Sequence, residues 1–180
     1  GHKKGAGGPK VMIAAHMDEI GFLIKHIDDR GFLRLQPVGG FDARQLFSQR
    51  VVCHGWKGGS VPGLLVYNTK PTHLLTDEER KQAPKLESFY VDTGKSAEQV
   101  KECLRVGDMV TLDRKMERFG DCCSGKAIDN RVGVFVMLEA MRKVGAHQAE
   151  IYAVATTQEE IGLRGATTSA FSVEPDIGVA

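Results

Sequence analysis

Apolar positions recur along this chain in two rhythms. Val11-Met12-Ile13-Ala14-Ala15 is a short continuous apolar run, the pattern of a parallel strand buried on both faces, and it ends in His16-Met17-Asp18. Beyond it the runs shorten. Gly21 to Ile27 and Phe32 to Val38 flank the turn signal Asp28-Asp29-Arg30-Gly31, which predicts a β-hairpin. Arg50 to Gly55 and Pro62 to Tyr67, parted by Gly58-Gly59, predict two more strands, as do Phe89 to Asp92 and Met109 to Asp113. Thr76-Asp77-Glu78-Glu79 and Ser96-Ala97-Glu98-Gln99 fit the capping box and predict short helices, the second running to about Leu104.

From Gly120 the rhythm turns helical. Val132, Phe135, Val136, Leu138 and Met141 recur at three- and four-residue spacing and predict an amphipathic helix from Asp129 to Val144, with Gly145 at its C′ position. Glu150 to Thr157 predicts the next buried strand, Gly162 to Ala170 a loop and helix, and Ile177 to Ala180 the start of a further buried strand. A chain that leaves an α/β layer near Ile20 and re-enters it near Gly120 hosts an insertion. The expected fold class is α/β, with residues 1–19 and 120–180 in the α/β layer and residues 20–119 in an inserted, β-rich module. An apolar strand at the very end of the sequence predicts that more chain follows, so that these 180 residues are a fragment.

Composition narrows the class of partner. Hydrophobic content of 42% and charged content of 26% suit a soluble globular protein. Twenty-four basic residues balance 23 acidic ones with no basic block, which speaks against nucleic acid or an anionic membrane as partner. No apolar run approaches the roughly 20 residues that cross a bilayer. Four cysteines, Cys53, Cys103, Cys122 and Cys123, form neither a zinc-finger nor a disulfide spacing, and a reduced, cytoplasmic setting is expected.

The candidate chemistry gathers at strand ends. In open α/β sheets, sites form outside the carboxyl ends of the strands. His16 and Asp18 follow one apolar run, Glu159 and Glu160 follow another, and Asp129 opens a helix. Imidazole with carboxylates suits zinc, cobalt or manganese, and one aspartate can bridge two ions. Adjacent residues at a strand end diverge, so one glutamate can bind metal while the other serves as general base. Asp18 is placed to support His16 or the cluster from behind. Each residue also has a bland reading. His16 alone is a polar strand terminus, Asp129 alone a helix N-cap, and the glutamates alone a solvated turn.

Taken together, Ala14-Ala15-His16-Met17-Asp18-Glu19-Ile20-Gly21, Gly125-Lys126-Ala127-Ile128-Asp129-Asn130-Arg131-Val132-Gly133 and Gln158-Glu159-Glu160-Ile161-Gly162-Leu163-Arg164-Gly165-Ala166 resemble the M42 family of di-metal aminopeptidases. The likeness extends through Lys70-Pro71-Thr72-His73-Leu74-Leu75 and Val106-Gly107-Asp108 and covers essentially the whole chain. The resemblance implies a zinc-peptidase-like three-layer α/β domain, in part, with a PDZ-like dimerisation module inserted. It implies two divalent ions, zinc or cobalt with manganese as an alternative. His16 would bind one ion, Asp129 would bridge both and Glu160 would bind the second. Glu159 would be the general base and Asp18 would support the cluster through His16. Short peptides would be the substrates, and self-association would run from dimer to dodecamer. The family pattern also supplies a further metal-binding Asp and a final His that lie outside these residues, so the ligand set here is expected to be incomplete. Two rival expectations follow: an inactive assembly fragment of such an enzyme, and an endoglucanase-like glycosidase, which gives His16 no task.

Overall fold

The computed structural model describes residues 1–180, the side chain of Thr72 excepted. Contacts divide the chain into two units, Gly1–Glu19 with Met116–Ala180, and Ile20–Lys115. In chain order, β1 (His2–Lys3) and β2 (Lys10–His16) open the first unit. The second unit then runs β3 (Gly21–Ile27), β4 (Leu33–Val38), β5 (Arg50–His54), β6 (Ser60–Tyr67), α1 (Asp77–Lys81), β7 (Phe89–Asp92), α2 (Ala97–Cys103) and β8 (Met109–Leu112). The first unit resumes with β9 (Glu117–Phe119), β10 (Cys122–Ser124), α3 (Ile128–Lys143), β11 (Glu150–Thr156), α4 (Arg164–Val173) and β12 (Ile177–Val179). Residues 116–119, expected with the inserted module, cluster with the first unit because β9 pairs antiparallel with β10.

The second unit is a closed antiparallel barrel in the order β3-β4-β7-β6-β5-β8. Alternate residues point inward, as the two-residue strand period demands: Phe22 and Ile24, Val51 and Cys53, Phe89 and Val91 all join one buried cluster. Val100 of α2 and Leu104 just beyond it add to that core. Both short helices start as their sequences predict. Thr76 and Ser96 each accept from a backbone N–H three residues on, while the side chains of Glu79 and Gln99 reach back.

The first unit is a four-stranded sheet in the order β1-β11-β2-β12. β2 pairs in parallel with β11 and with β12, and β1 adds an antiparallel edge to β11. The step from β2 through α3 to β11 goes one way along the sheet, and the step from β11 through α4 to β12 goes back past β2. Right-handed crossovers therefore set α3 and α4 on opposite faces. Two close approaches agree with this. A Cβ on Gly133 of α3 would lie 3.2 Å from the Ala15 methyl, and one on Gly165 of α4 would lie 3.1 Å from the Thr156 Cβ. Ala15 and Ala155 are register partners, as are His16 and Thr156, so the two pairs face opposite ways. Helix, sheet and helix thus form three layers.

The face that α3 turns inward differs from the one its spacing suggested. α3 turns Val134, Met137, Met141 and Val144 inward, whereas Val132, Phe135, Val136 and Leu138 are each more than half exposed. The helix is apolar on more than one side, and its small Gly133 selects the face that can approach Ala15. Val144 caps the end of α3 in an extended conformation, donating its N–H to the Ala140 carbonyl, so Gly145 follows at the expected C′ position. Ile177 and Val179 of β12, which pairs with β2, are about half exposed. Among the described residues no helix is long and apolar enough to cross a membrane.

Candidate metal centre

All five residues singled out by the sequence lie in the first unit, at the carboxyl end of its parallel strands. His16 is the last residue of β2 and is 7% exposed. Its Nδ1 lies 3.0 Å from the main-chain oxygen of Asp18. A carbonyl only accepts, so the Nδ1 proton is committed there and Nε2 is the atom turned to the site. Nε2 sits 3.1 Å from Asp129 Oδ1 and 3.5 Å from Glu159 Oε2. His16, Glu159 and Glu160 each offer one ligand atom, and the three atoms lie within 4.8 Å of one another. Asp129 meets this group through His16.

The cluster is thus a set of acceptors facing one another, which a shared cation would satisfy. One buried imidazole and two carboxylates within this span fit a divalent ion by donor chemistry as well as by spacing. Burial pushes the Glu160 carboxyl above its ordinary range, and the charges of Glu159, Asp129 and Asp18 push it the same way against the opposing pull of His16.

Local chain geometry explains how the acids reach this place. After β11 the backbone turns through Gln158, whose φ is 61°. The Asp18 carboxylate holds the turn, accepting the N–H of Glu159 at 3.3 Å and that of Glu160 at 3.2 Å. The sequence pointed to Asp18 as a support for the imidazole or for the cluster. Its carbonyl does the first, while its carboxylate supports the glutamates. Its Oδ1 is 3.6 Å from His16 Nδ1, beyond hydrogen-bond range.

Asp129 is not the helix cap. Its backbone and that of Asn130 are non-helical, and Asn130 Oδ1 accepts the N–H of Gly133 at 3.1 Å instead. Asp129 is thereby left free, its side chain 90% exposed and turned to His16. Sequence reasoning missed Asn130, Glu19 and Arg131. An Asx residue three positions before a helical glycine was the readable signal for the first, and nothing local announced the other two. Within the second unit His54 hydrogen-bonds Thr111 at 2.9 Å, and in the first His147 Nδ1 lies 2.7 Å from the Gly145 carbonyl.

A profile of the M42 glutamyl aminopeptidase family matches residues 1–180. The chain belongs to the M42 family. A lysyl aminopeptidase of Pyrococcus furiosus is 38% identical over 186 residues, covering 99% of this chain and 52% of that protein. The structure of an aminopeptidase from Desulfurococcus kamchatkensis superposes with a TM-score of 0.88 at 44% identity, over 99% of this chain and 49% of that one. A Pyrococcus horikoshii peptidase described as assembling into a tetrahedron or a large octahedral shell gives 0.82 at 30% identity, over 97% and 53%. The M42 chain described here spans about half the length of the curated relatives it matches.

Proposed function

We propose that this M42 protein is a metal-dependent aminopeptidase that removes N-terminal residues from short peptides. The observation that carries the reading is the convergence on His16 Nε2 of Asp129 Oδ1 at 3.1 Å and Glu159 Oε2 at 3.5 Å, with Glu160 in the same cluster. His16, Asp129 and Glu160 would hold two divalent ions, zinc or cobalt, with Asp129 shared between them. When bound, such ions supply Lewis acidity that polarises a scissile carbonyl and makes water more acidic.

The protein's own groups do the rest. Glu160, which shares a tight cluster with His16 and Glu159, is assigned as a ligand. Glu159 takes the proton of the attacking water and returns it to the leaving amine. His16 is held in one orientation by its Nδ1–H bond to the Asp18 carbonyl, and the Asp18 carboxylate fixes both glutamates by their amides. The barrel unit is assigned as the PDZ-like dimerisation module, in keeping with the shells described for the Pyrococcus horikoshii relative. The cytoplasm is the proposed compartment.

The test is turnover of aminoacyl p-nitroanilides by protein stripped with EDTA and reloaded with Zn²⁺ or Co²⁺. Turnover should return with metal, and Glu159→Gln should bind the ions normally while losing about 10²–10⁴-fold in kcat. Metal-independent turnover, or full activity in Glu159→Gln, overturns the reading.

A further inference from the structure

Asp129 has an unusual need. It is mostly exposed, it caps nothing, and the regular helix starts only after it, so α3 alone does not fix its carboxylate opposite His16. What does fix the loop around it is a charge cluster that the proposed chemistry does not use. Glu19, whose side chain is 15% exposed, lies directly after Asp18. Its Oε1 is 2.5 Å from Lys126 Nζ and 4.0 Å from Arg131 Nη2. Arg131 Nε also donates to the main-chain oxygen of Met17 at 3.0 Å. Lys126 precedes Asp129 by three residues and Arg131 follows it by two. The loop is therefore tied on both sides of Asp129 to the residues on either side of Asp18.

We propose that Glu19 is a positioning residue for the cation site, acting through Lys126 and Arg131 to hold Asp129 Oδ1 against His16 Nε2. The proposal rests on the reading of His16, Asp129 and Glu160 as cation ligands. A largely buried carboxylate in close contact with Lys126 is a stiff joint, because leaving that carboxylate unpaired is unfavourable. Such a joint turns the last residues of β2 and the loop before α3 into one rigid ligand frame, which is how outer partners tune a metal site.

The experiment is Co²⁺ titration of EDTA-stripped protein, followed by calorimetry and by the visible absorption of the bound ion. Glu19→Gln and Lys126→Met should each weaken Co²⁺ binding about 10–100-fold and alter the absorption band. The double variant should be no weaker than the worse single one, because both remove the same link. Met137→Ala, which opens a cavity under α3 away from the loop, supplies a control: a lower melting temperature with unchanged Co²⁺ affinity. If both clamp variants bind Co²⁺ within twofold of the parent while Asp129→Asn binds poorly, Glu19 is merely structural and the proposal fails. If Asp129→Asn itself binds like the parent, the ligand reading beneath it fails instead.

Discussion

Asp18→Asn is the sharpest single probe of the site, because it changes one acceptor atom and almost no volume. The carboxylate accepts two backbone N–H groups, at 3.3 and 3.2 Å, with its side chain 26% exposed. A hydrogen bond to a charged group contributes about 1.5–3 kcal/mol. These two are long and partly screened by solvent, so about 1.5 kcal/mol each is the better figure. The substituted amide keeps one oxygen for one N–H and turns its NH₂ toward the other, so one bond is lost and one donor is left facing a donor. The net loss is about 1.5–3 kcal/mol. It falls on the placement of Glu159 and Glu160. Expressed in the transition state, that loss lowers kcat/KM about 10- to 150-fold. The assay is kcat/KM for an aminoacyl p-nitroanilide at saturating Co²⁺, with Co²⁺ affinity measured alongside. The His16 Nδ1 bond goes to the main-chain oxygen and survives the substitution. A kcat/KM within twofold of the parent would refute the claim that this carboxylate holds the glutamate turn.

Two further outcomes concern stability. Asn130→Ala removes the cap on Gly133 and should cost about 1 kcal/mol in denaturant unfolding, whereas Asn130→Asp should keep most of it; equal midpoints for all three proteins would deny the cap. In the barrel, burial pushes the Cys53 thiol from its ordinary 9.0 up to about 12, with Cys103 and Asp108 adding to the effect. Between those values the unfolded chain releases a proton that the folded chain keeps. Stability therefore falls as pH rises through that window, by up to about 1.4 kcal/mol per pH unit. Cys53→Val should remove that part of the alkaline slope, and parallel slopes of unfolding midpoint against pH for the two proteins would refute it.

Strands β2 to β8, β11 and β12 and both capping boxes were legible because they depend on local signals: turn residues, apolar runs or alternation, and an oxygen three residues before its partner; the two- and three-residue β1, β9 and β10 were too short to announce themselves. The parallel pairing of β2 with β11 followed from continuous apolar runs and the topology they imply. The direction of α3 did not. Val132, Phe135 and Val136 satisfy helical spacing as well as Val134, Met137 and Met141 do, so periodicity selects a helix but not its face. That choice is made by Gly133 against Ala15, a contact across 118 positions of sequence. At the site, the residue types and the strand-end logic pointed to His16, Asp129, Glu159 and Glu160. The division of labour within Asp18, and between Asp129 and Asn130, was hidden. It depends on which atom of a residue meets which backbone group, and a residue name does not carry that.

The glycines at the two helix–sheet contacts have a consequence for how the protein can vary. At Gly133 an added methyl would press on the Asn130 side chain and on Ala15, and at Gly165 on the Thr157 backbone and on Thr156. Sequence drift is therefore cheaper at the outer ends of α3 and α4 than at these two glycines.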